Sequence, residues 1–160
     1  MPLTLAKETM EMQWKERKGM QSGQILLEGD MIVPDSKPDL KKILRCEGHV
    51  KIKEKRVSDE RVSFSGEVEV CVLYQAKNGE KPLYVMKSAL PLEDFLHMEG
   101  LQKDMNVVLT AKLEHLDCQI INDRKIGVKA VILMEAEAEQ KKSAEVLTDI
   151  VGEGVETLTE

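Results

Sequence analysis

The sequence of 160 residues is long enough for one domain, and its 42% hydrophobic and 32% charged residues are typical of soluble globular proteins. The formal net charge is −6, lysines and glutamates are interspersed, and only one Trp, two Tyr and two Phe are present. This balance argues against nucleic-acid binding, because nucleic-acid-binding proteins gather basic and aromatic side chains on one surface. No apolar stretch of about 18 residues and no secretory leader is evident, so we expect cytoplasmic synthesis and no membrane insertion.

The N-terminal segment combines large apolar side chains with charges and lacks the alternation typical of a strand. We predict an extended arm over residues 1–23. Trp is over-represented among the residues that dominate protein interfaces, so a lone Trp in a charged arm indicates an anchor for a surface elsewhere. We therefore expect subunit contacts from four side chains of this arm: Met10, Met12, Trp14 and Met20.

The stretch IVPDSKPDLKKIL, residues 32–44, has the features of a helix start. Ser36 and Asp39 have the spacing of a capping box, and Pro38 suits the first helical turn, where its missing N–H is not needed. A short helix here places three apolar side chains on one face: Leu40, Ile43 and Leu44. Since such a helix is too short to be stable alone, we expect it to dock on a sheet.

We interpret the same stretch as a structural motif that fixes how the chain packs. The motif consists of Pro34, Asp35, Ser36, Pro38 and Asp39. A carboxylate pair formed by Asp35 and Asp39 is the alternative interpretation. No neighbouring nucleophile, histidine or cluster of metal ligands in the sequence supports that alternative.

Alternating apolar residues predict strands in the middle of the chain. Residues 50–57 place lysines on one face, as edge strands often do, and residues 61–74 alternate over a longer stretch. Gly66, on the apolar face, predicts a bulge or a bend. The Asn-Gly pair at 78–79 predicts a hairpin, with a return strand over about residues 83–90 that ends before Pro91.

A second pair of strands follows over residues 106–120 and 124–138. The apolar face of the first of these strands changes parity near Glu114 and His115, which predicts a β-bulge. The Asn-Asp pair at 122–123 predicts the turn between the two strands. A histidine at a bulge beside acidic residues is compatible with a pH-sensitive role for His115, but a hydrogen-bonded structural histidine is the simpler interpretation.

These elements predict a mainly β fold: an antiparallel β-sandwich or a curled sheet of long hairpins, with one or two short helices and extended arms at both ends. The apolar face of the sheet needs a cover. The sequence offers three covers: the short helix after Pro38, the segment LPLEDFLHM at 90–98, or the sheet curling on itself.

The three cysteines are Cys46, Cys71 and Cys118, and none is in a CxxC spacing. Because the count is odd, at least one thiol has no partner within the chain. Ordinary thiols in a reducing cytoplasm are the simpler interpretation, and a disulfide between subunits through any of the three is the alternative. The parity of the 61–74 strand places Cys71 on its polar face.

No motif of known chemistry is present, so we expect no enzymatic activity, no cofactor and no metal. His49, His97 and His115 are scattered without an HxxxH or HExxH spacing. Neither GxGxxG nor GxxxxGK[ST] occurs, and no GxSxG motif marks a nucleophile.

Four blocks of the sequence resemble the SPOCS domain family, a module of spore-forming Firmicutes found in the clostridial spore morphogenetic protein SipL. The blocks are EGDMIVPDSKPDLKKIL, GEVEVCVLY, LPLEDFLHMEG and LEHLDCQIINDRKIGVKAVI. The resemblance extends over about residues 24–139. It implies an N-terminal arm over 1–23, a SPOCS-like β domain over 24–139 and an acidic C-terminal arm over 140–160, as a single-domain version without the LysM module of SipL.

The resemblance implies a function in spore envelope assembly, with synthesis in the mother-cell cytoplasm and deposition on the endospore surface. We expect a structural protein that self-assembles with copies of itself into rings or fibres of an appendage or coat, through exchanged arms and strand edges. The alternative is a spore-coat morphogenetic adaptor that recruits another coat protein, as SipL does. Other spore-coat proteins are further potential partners.

Overall fold

The computed structural model describes the backbone of residues 6–151 and the side chains of residues 9–146. Six β-strands make up the fold, and no helix occurs within the described backbone. The strands are β1 (Ala6–Ile32), β2 (Leu40–Ser58), β3 (Arg61–Ala76), β4 (Leu83–His97), β5 (Asn106–Asn122) and β6 (Lys125–Val151).

The strands form two three-stranded antiparallel sheets that pack face to face. We call the sheet with strand order β1-β6-β5 sheet A and the sheet with strand order β2-β3-β4 sheet B. At one side of the sandwich β2 lies against β5, and at the other side β1 lies against β4. The structure therefore confirms an all-β antiparallel fold with a second sheet as the cover of the apolar face.

The core lies between the two sheets and follows the alternation read from the sequence. Val68 and Val70 of β3 are buried against the inner face of sheet A, where Ile132 and Met134 of β6 are fully buried. The described residues contain no buried polar or charged side chain, so burial of apolar surface is the main stabilising contribution.

The predicted helix after Pro38 is wrong, because the chain enters strand β2 at Leu40. Two register shifts, one between Leu40 and Lys42 and one between Ile43 and Arg45, each insert one extra residue into β2. As a result Leu40, Ile43 and Cys46 all point toward the core. The resulting spacing of three residues imitates the apolar spacing of a helix, and with no helix present the capping box of Ser36 and Asp39 is also absent.

The segment at 90–98 is likewise not a separate cover, since it continues strand β4 through Pro91 to His97. β4 is an edge strand of sheet B. An edge strand tolerates the missing N–H of Pro91, because no further strand lies beyond that edge to accept a hydrogen bond from it. The bulge predicted beside His115 is confirmed by a register shift between Leu113 and His115. The register shift in β2 between Ile52 and Glu54 lies opposite Gly66.

The hairpin predicted at the Asn-Gly pair is confirmed as a pairing of β3 with β4, through a wider loop over residues 77–82. Neither Asn78 nor Gly79 has the positive φ of a two-residue turn. A side chain at Gly79 would come within 3.0 Å of the Tyr84 hydroxyl and 3.2 Å of the Pro38 ring, so close packing accounts for this glycine.

Candidate subunit-interaction surface

The two ends of the chain form one ribbon, because β1 and β6 pair from Ala6 opposite Val151 to Ile32 opposite Lys125. The neighbouring strand β5 begins only opposite Glu139. Residues 6–16 and 140–151 therefore extend beyond the sandwich as two strands alone, over roughly 35 Å at about 3.3 Å per residue. We call this part the ribbon. The expectation that the N-terminal segment lacks strand character is therefore wrong. The domain boundaries near residues 23 and 139 stay predictions.

One face of the ribbon continues the core-facing surface of sheet A. Strand β6 has no register shift between Met134 and Val146, so Ala144 and Val146 lie on the same face as Met134. A bulge in β1 between Arg17 and Gly19 inverts the alternation of that strand. Before this bulge the even-numbered residues of β1 face the same side as the core.

Besides Lys142 and Glu16, this face carries five apolar side chains that no described residue covers. We call them the ribbon stripe: Met10, Met12, Trp14, Ala144 and Val146. Met10 is 54% exposed, Trp14 46% and Val146 38%. Sheet B covers this face only as far as Gly19. There, Met98 lies close to the position that a side chain on Gly19 would occupy.

The structure brings together three of the four predicted contact residues and separates the fourth. Met10, Met12 and Trp14 lie along one face, as the alternation before the bulge requires. Met20 follows the bulge, pairs with Glu137 and lies on the opposite face, where it is 55% exposed. The apolar stripe of β1 therefore ends before the bulge and does not include Met20.

Charged side chains mark the junction of the ribbon with the sandwich. The Glu16 carboxylate lies 3.2 Å from the Lys18 ammonium and 3.7 Å from that of Lys142. The hydrogen bond from Lys18, with the positive charges of Lys18 and Lys142, lowers the pKa of Glu16. On the opposite face, the ion pair between Arg17 and Glu137, at 2.8 Å, lies just beyond the end of the ribbon, within the sandwich. The ribbon therefore has one face that is apolar except for Lys142 and Glu16, and an opposite face of polar and charged side chains that includes Glu11, Lys15 and Glu145.

Strand edges offer a second type of contact. Among the described residues, nothing pairs with the β6 edge that β5 would occupy beyond Glu139. The other edge of β1 also has no hydrogen-bonded neighbour within residues 6–32. Unpaired strand edges can accept a strand from another chain.

The predicted structural motif lies at the other end of the sandwich, where the chain crosses from β1 to β2. The guanidinium group of Arg124 donates hydrogen bonds to the carbonyl oxygens of Lys37, Val33 and Pro34, at 2.9, 3.0 and 2.7 Å. It also donates to the carboxylate of Asp39, at 2.9 Å. Asp39, directly before β2 of sheet B, is thus linked to the turn between β5 and β6 of sheet A.

The rest of the motif acts through its backbone. The N–H of Lys37 donates to the carbonyl of Pro34, at 2.9 Å, and closes a turn around Asp35 and Ser36. The hydroxyl of Tyr74 donates to the carbonyl of Pro38, at 3.0 Å. Burial raises the pKa of this hydroxyl.

Two of the three cysteines are joined within the chain. A disulfide links Cys46 of β2 to Cys118 of β5, with Cα atoms 6.7 Å apart, and it ties sheet B to sheet A. The expectation of a disulfide between subunits is therefore corrected for these two. Cys71 has a free, half-buried thiol, and its neighbours across the sheet are Glu47 and Lys87.

The described side chains offer no group of three His, Cys, Asp or Glu that could hold a metal ion. No helix that could cross a membrane occurs in the described part of the chain. Sequence reasoning missed Arg124, and it missed Ala144 and Val146 of the ribbon stripe. The alternation of β6 continues unbroken to Val146 and could have identified the last two.

The fold is an antiparallel β-sandwich of long strands with a two-stranded extension. A family model described as "SipL, SPOCS domain" matches residues 39–121, just over half of the 160 residues. The chain therefore belongs to the SipL SPOCS domain family and is a sporulation-related protein, as the resemblance implied. The matched range contains β2 to β4 and nearly all of β5. No curated protein and no solved structure matches the chain.

Proposed function

We propose that this protein is a structural subunit of the endospore surface that self-assembles into rings or fibres. The observation that carries the proposal is the ribbon stripe, an apolar face of sheet A that no described residue of the same chain covers. Contiguous exposed apolar surface on a soluble protein is typical of an interaction site.

The energetics favour burial of the stripe. Full burial of a Met or Val side chain contributes roughly 1.5–3 kcal/mol, and Trp14 adds a large aromatic surface. Since these side chains are about half exposed, covering the stripe contributes on the order of 5 kcal/mol before the entropy lost on association. The free strand edges beside the stripe supply further contacts, so that one joint can exceed the roughly 1,000 Å² of a stable interface.

Family membership and the expected durability of the joint support a location on the spore surface. We propose synthesis in the mother-cell cytoplasm and deposition on the endospore surface. A disulfide between the free Cys71 thiols of two subunits, formed by oxidation after lysis of the mother cell, is the alternative for a joint that leaves Cys71 uncovered.

Electron microscopy and light scattering of the purified full-length protein test the proposal. The wild-type protein is expected to form rings or fibres, and Trp14→Glu is expected to remain smaller because it places a charge in the stripe. Gln13→Glu is the matched control, since it adds the same charge to the adjacent residue on the opposite face. Assembly of Trp14→Glu like the wild type would refute the role of the stripe.

A uniformly monomeric wild-type protein would refute self-assembly. The membership in the SipL family then favours the second function, a spore-coat morphogenetic adaptor whose stripe binds another coat protein. Copurification with the coat fraction of a sporulating culture, lost in Trp14→Glu and retained in Gln13→Glu, is the expected result for that function.

A further inference from the structure

We infer that the ribbon stripe of one copy docks on the outer face of sheet B in the next copy, at the end of the sandwich remote from the ribbon. The copies then join head to tail. This inference rests on the proposed self-assembly and names the surface that receives the stripe.

The receiving surface is an apolar patch that spans all three strands of sheet B. We call it the outer patch, and it consists of Leu44, Leu73, Leu83 and Val85. Val85 pairs directly with Leu73, and Leu44 lies between the residues of β2 that pair with Leu73 and Tyr74. Leu44 and Leu83 are each 46% exposed and Val85 is 42% exposed.

The stripe and the outer patch lie at opposite ends of the molecule. The ribbon leaves the sandwich beside Met98, which directly follows the last residue of β4. The outer patch contains Leu83, the first residue of β4. The 15 residues of β4 separate the two sites by roughly 45–50 Å at about 3.3 Å per residue. A contact between sites so placed on two copies is heterologous, and repeated contacts of this kind make rings or fibres.

The two ends carry opposite charge. Residues 33–45, 77–87 and 122–125, which surround the outer patch, contain nine basic and four acidic side chains. The ribbon, residues 6–16 and 140–151, contains four basic and five acidic residues. The end with the outer patch is therefore clearly basic and the ribbon slightly acidic, and this difference favours a head-to-tail contact.

The same charges disfavour the alternative of two ribbons packed stripe to stripe around a two-fold axis. That contact gains no attraction from the basic residues at the other end of the sandwich. It also leaves the outer patch of both copies uncovered. The head-to-tail contact covers both apolar surfaces at once and pairs two flat sheet surfaces, which pack at a spacing of about 10 Å.

A complementation experiment tests the inference by sedimentation velocity. Trp14→Glu removes the donor site and leaves the outer patch intact, whereas Val85→Glu removes the receiving site and leaves the stripe intact. Gln13→Glu and Phe95→Glu are the matched controls, because each adds the same charge to the same strand outside the two sites. Each blocked variant alone is expected to stay monomeric, with association at least about a hundredfold weaker than in the wild type, as expected for a charge buried in an apolar contact.

The equimolar mixture of Trp14→Glu and Val85→Glu is expected to form dimers and nothing larger, because the mixture has one functional stripe for one functional patch. Assembly of Val85→Glu alone would overturn the inference, as would a mixture that remains monomeric while the wild type assembles. A monomeric wild type would instead refute the proposed self-assembly. Matching circular dichroism spectra establish that each variant is folded.

Alkylation of Cys71 gives a second readout that is independent of sedimentation. Cys71 lies on the outer face of sheet B, two residues from Leu73, and has the free thiol of the chain. A docked ribbon covers this region, so the assembled wild type is expected to react with N-ethylmaleimide at least about tenfold more slowly than monomeric Val85→Glu. Equal rates in the two states would contradict docking at the outer patch.

Discussion

Replacement of Arg124 by alanine is expected to loosen the junction between the two sheets. The guanidinium group of Arg124 holds the chain that crosses from β1 to β2, through three carbonyl oxygens and the carboxylate of Asp39. Arg124→Ala removes all four hydrogen bonds and leaves the carboxylate of Asp39 without its ion-pair partner. Those acceptors then depend on water that reaches a partly buried site.

The magnitude follows from the number of bonds and their exposure. Hydrogen bonds to a charged group contribute about 1.5–3 kcal/mol each when buried. The side chains of Arg124 and Asp39 are 37% and 44% exposed, so solvent compensates much of that contribution. We expect a loss of about 3 kcal/mol in the free energy of unfolding, which corresponds to a fall of about 6–12 °C in the melting temperature for a domain of this size.

Urea denaturation followed by circular dichroism measures this loss. Lys77→Ala is the matched control, because Lys77 also binds the same turn, through the carboxylate of Asp123 at 2.6 Å, but as an exposed surface pair. Such a pair contributes at most about 1 kcal/mol. If Arg124→Ala lost no more stability than Lys77→Ala, the role of Arg124 as the link between the sheets would be refuted.

Three further predictions concern the sandwich. Gly66→Ala should lose at least about 2 kcal/mol of stability in urea denaturation, because the new Cβ would overlap the backbone oxygen of Lys51. Burial raises the pKa of Tyr74, so the neutral phenol contributes stability below the ordinary pKa of 10.0, and that contribution is lost as pH rises through the higher pKa of the folded state. Tyr74→Phe should therefore reduce the alkaline loss of stability, measured as melting temperature against pH. Replacement of Cys46 and Cys118 together by serine should lose about 3–4 kcal/mol, since the disulfide closes a loop of 72 residues. Native wild-type protein should show one reactive thiol per chain by mass spectrometry after alkylation, against three after reduction.

Sequence alternation predicted the strands of the sandwich because each strand has one buried and one exposed face. Even-numbered residues of β3 from Val62 to Tyr74 are buried apart from Gly66, as a period of two requires. The parity change beside His115 likewise identified a real bulge. These features depend on local spacing alone, so the sequence was sufficient to find them.

Reasoning from alternation failed at three other bulges, two of which lie close together. Two insertions within five residues gave Leu40, Ile43 and Cys46 a spacing of three, which a helix also gives. A third bulge, between Arg17 and Gly19, separated Met20 from the stripe. Only about three residues separate the first two insertions, and the sequence around the third, KERKGMQSGQ, is mostly polar, so neither place shows a change of parity like the one beside His115.

Long-range partners were also beyond the reach of local patterns. Arg124 contacts residues roughly 90 positions earlier in the chain, and Cys46 pairs with Cys118 across the two sheets. Three cysteines permit three different single disulfides within the chain, and spacing does not select among them. The packing of β2 against β5 selects the pair that forms.

Because the two chain ends pair with each other, a subunit can reach its neighbour with β1 alone or with the whole ribbon. To donate β1 alone, a subunit must first break its pairing with β6 over residues 6–16, whereas the ribbon can dock as a unit with all of those hydrogen bonds intact. Gln13 and Ser143 are direct cross-strand neighbours on the charged face, away from the stripe. We expect Gln13→Cys with Ser143→Cys, in a Cys71→Ser background, to form a disulfide that locks the ribbon without affecting assembly. The Cys71→Ser protein is the control, and electron microscopy under oxidising and reducing conditions is the measurement. Assembly that requires reduction of the lock would contradict docking of an intact ribbon and would favour exchange of β1 as a single strand.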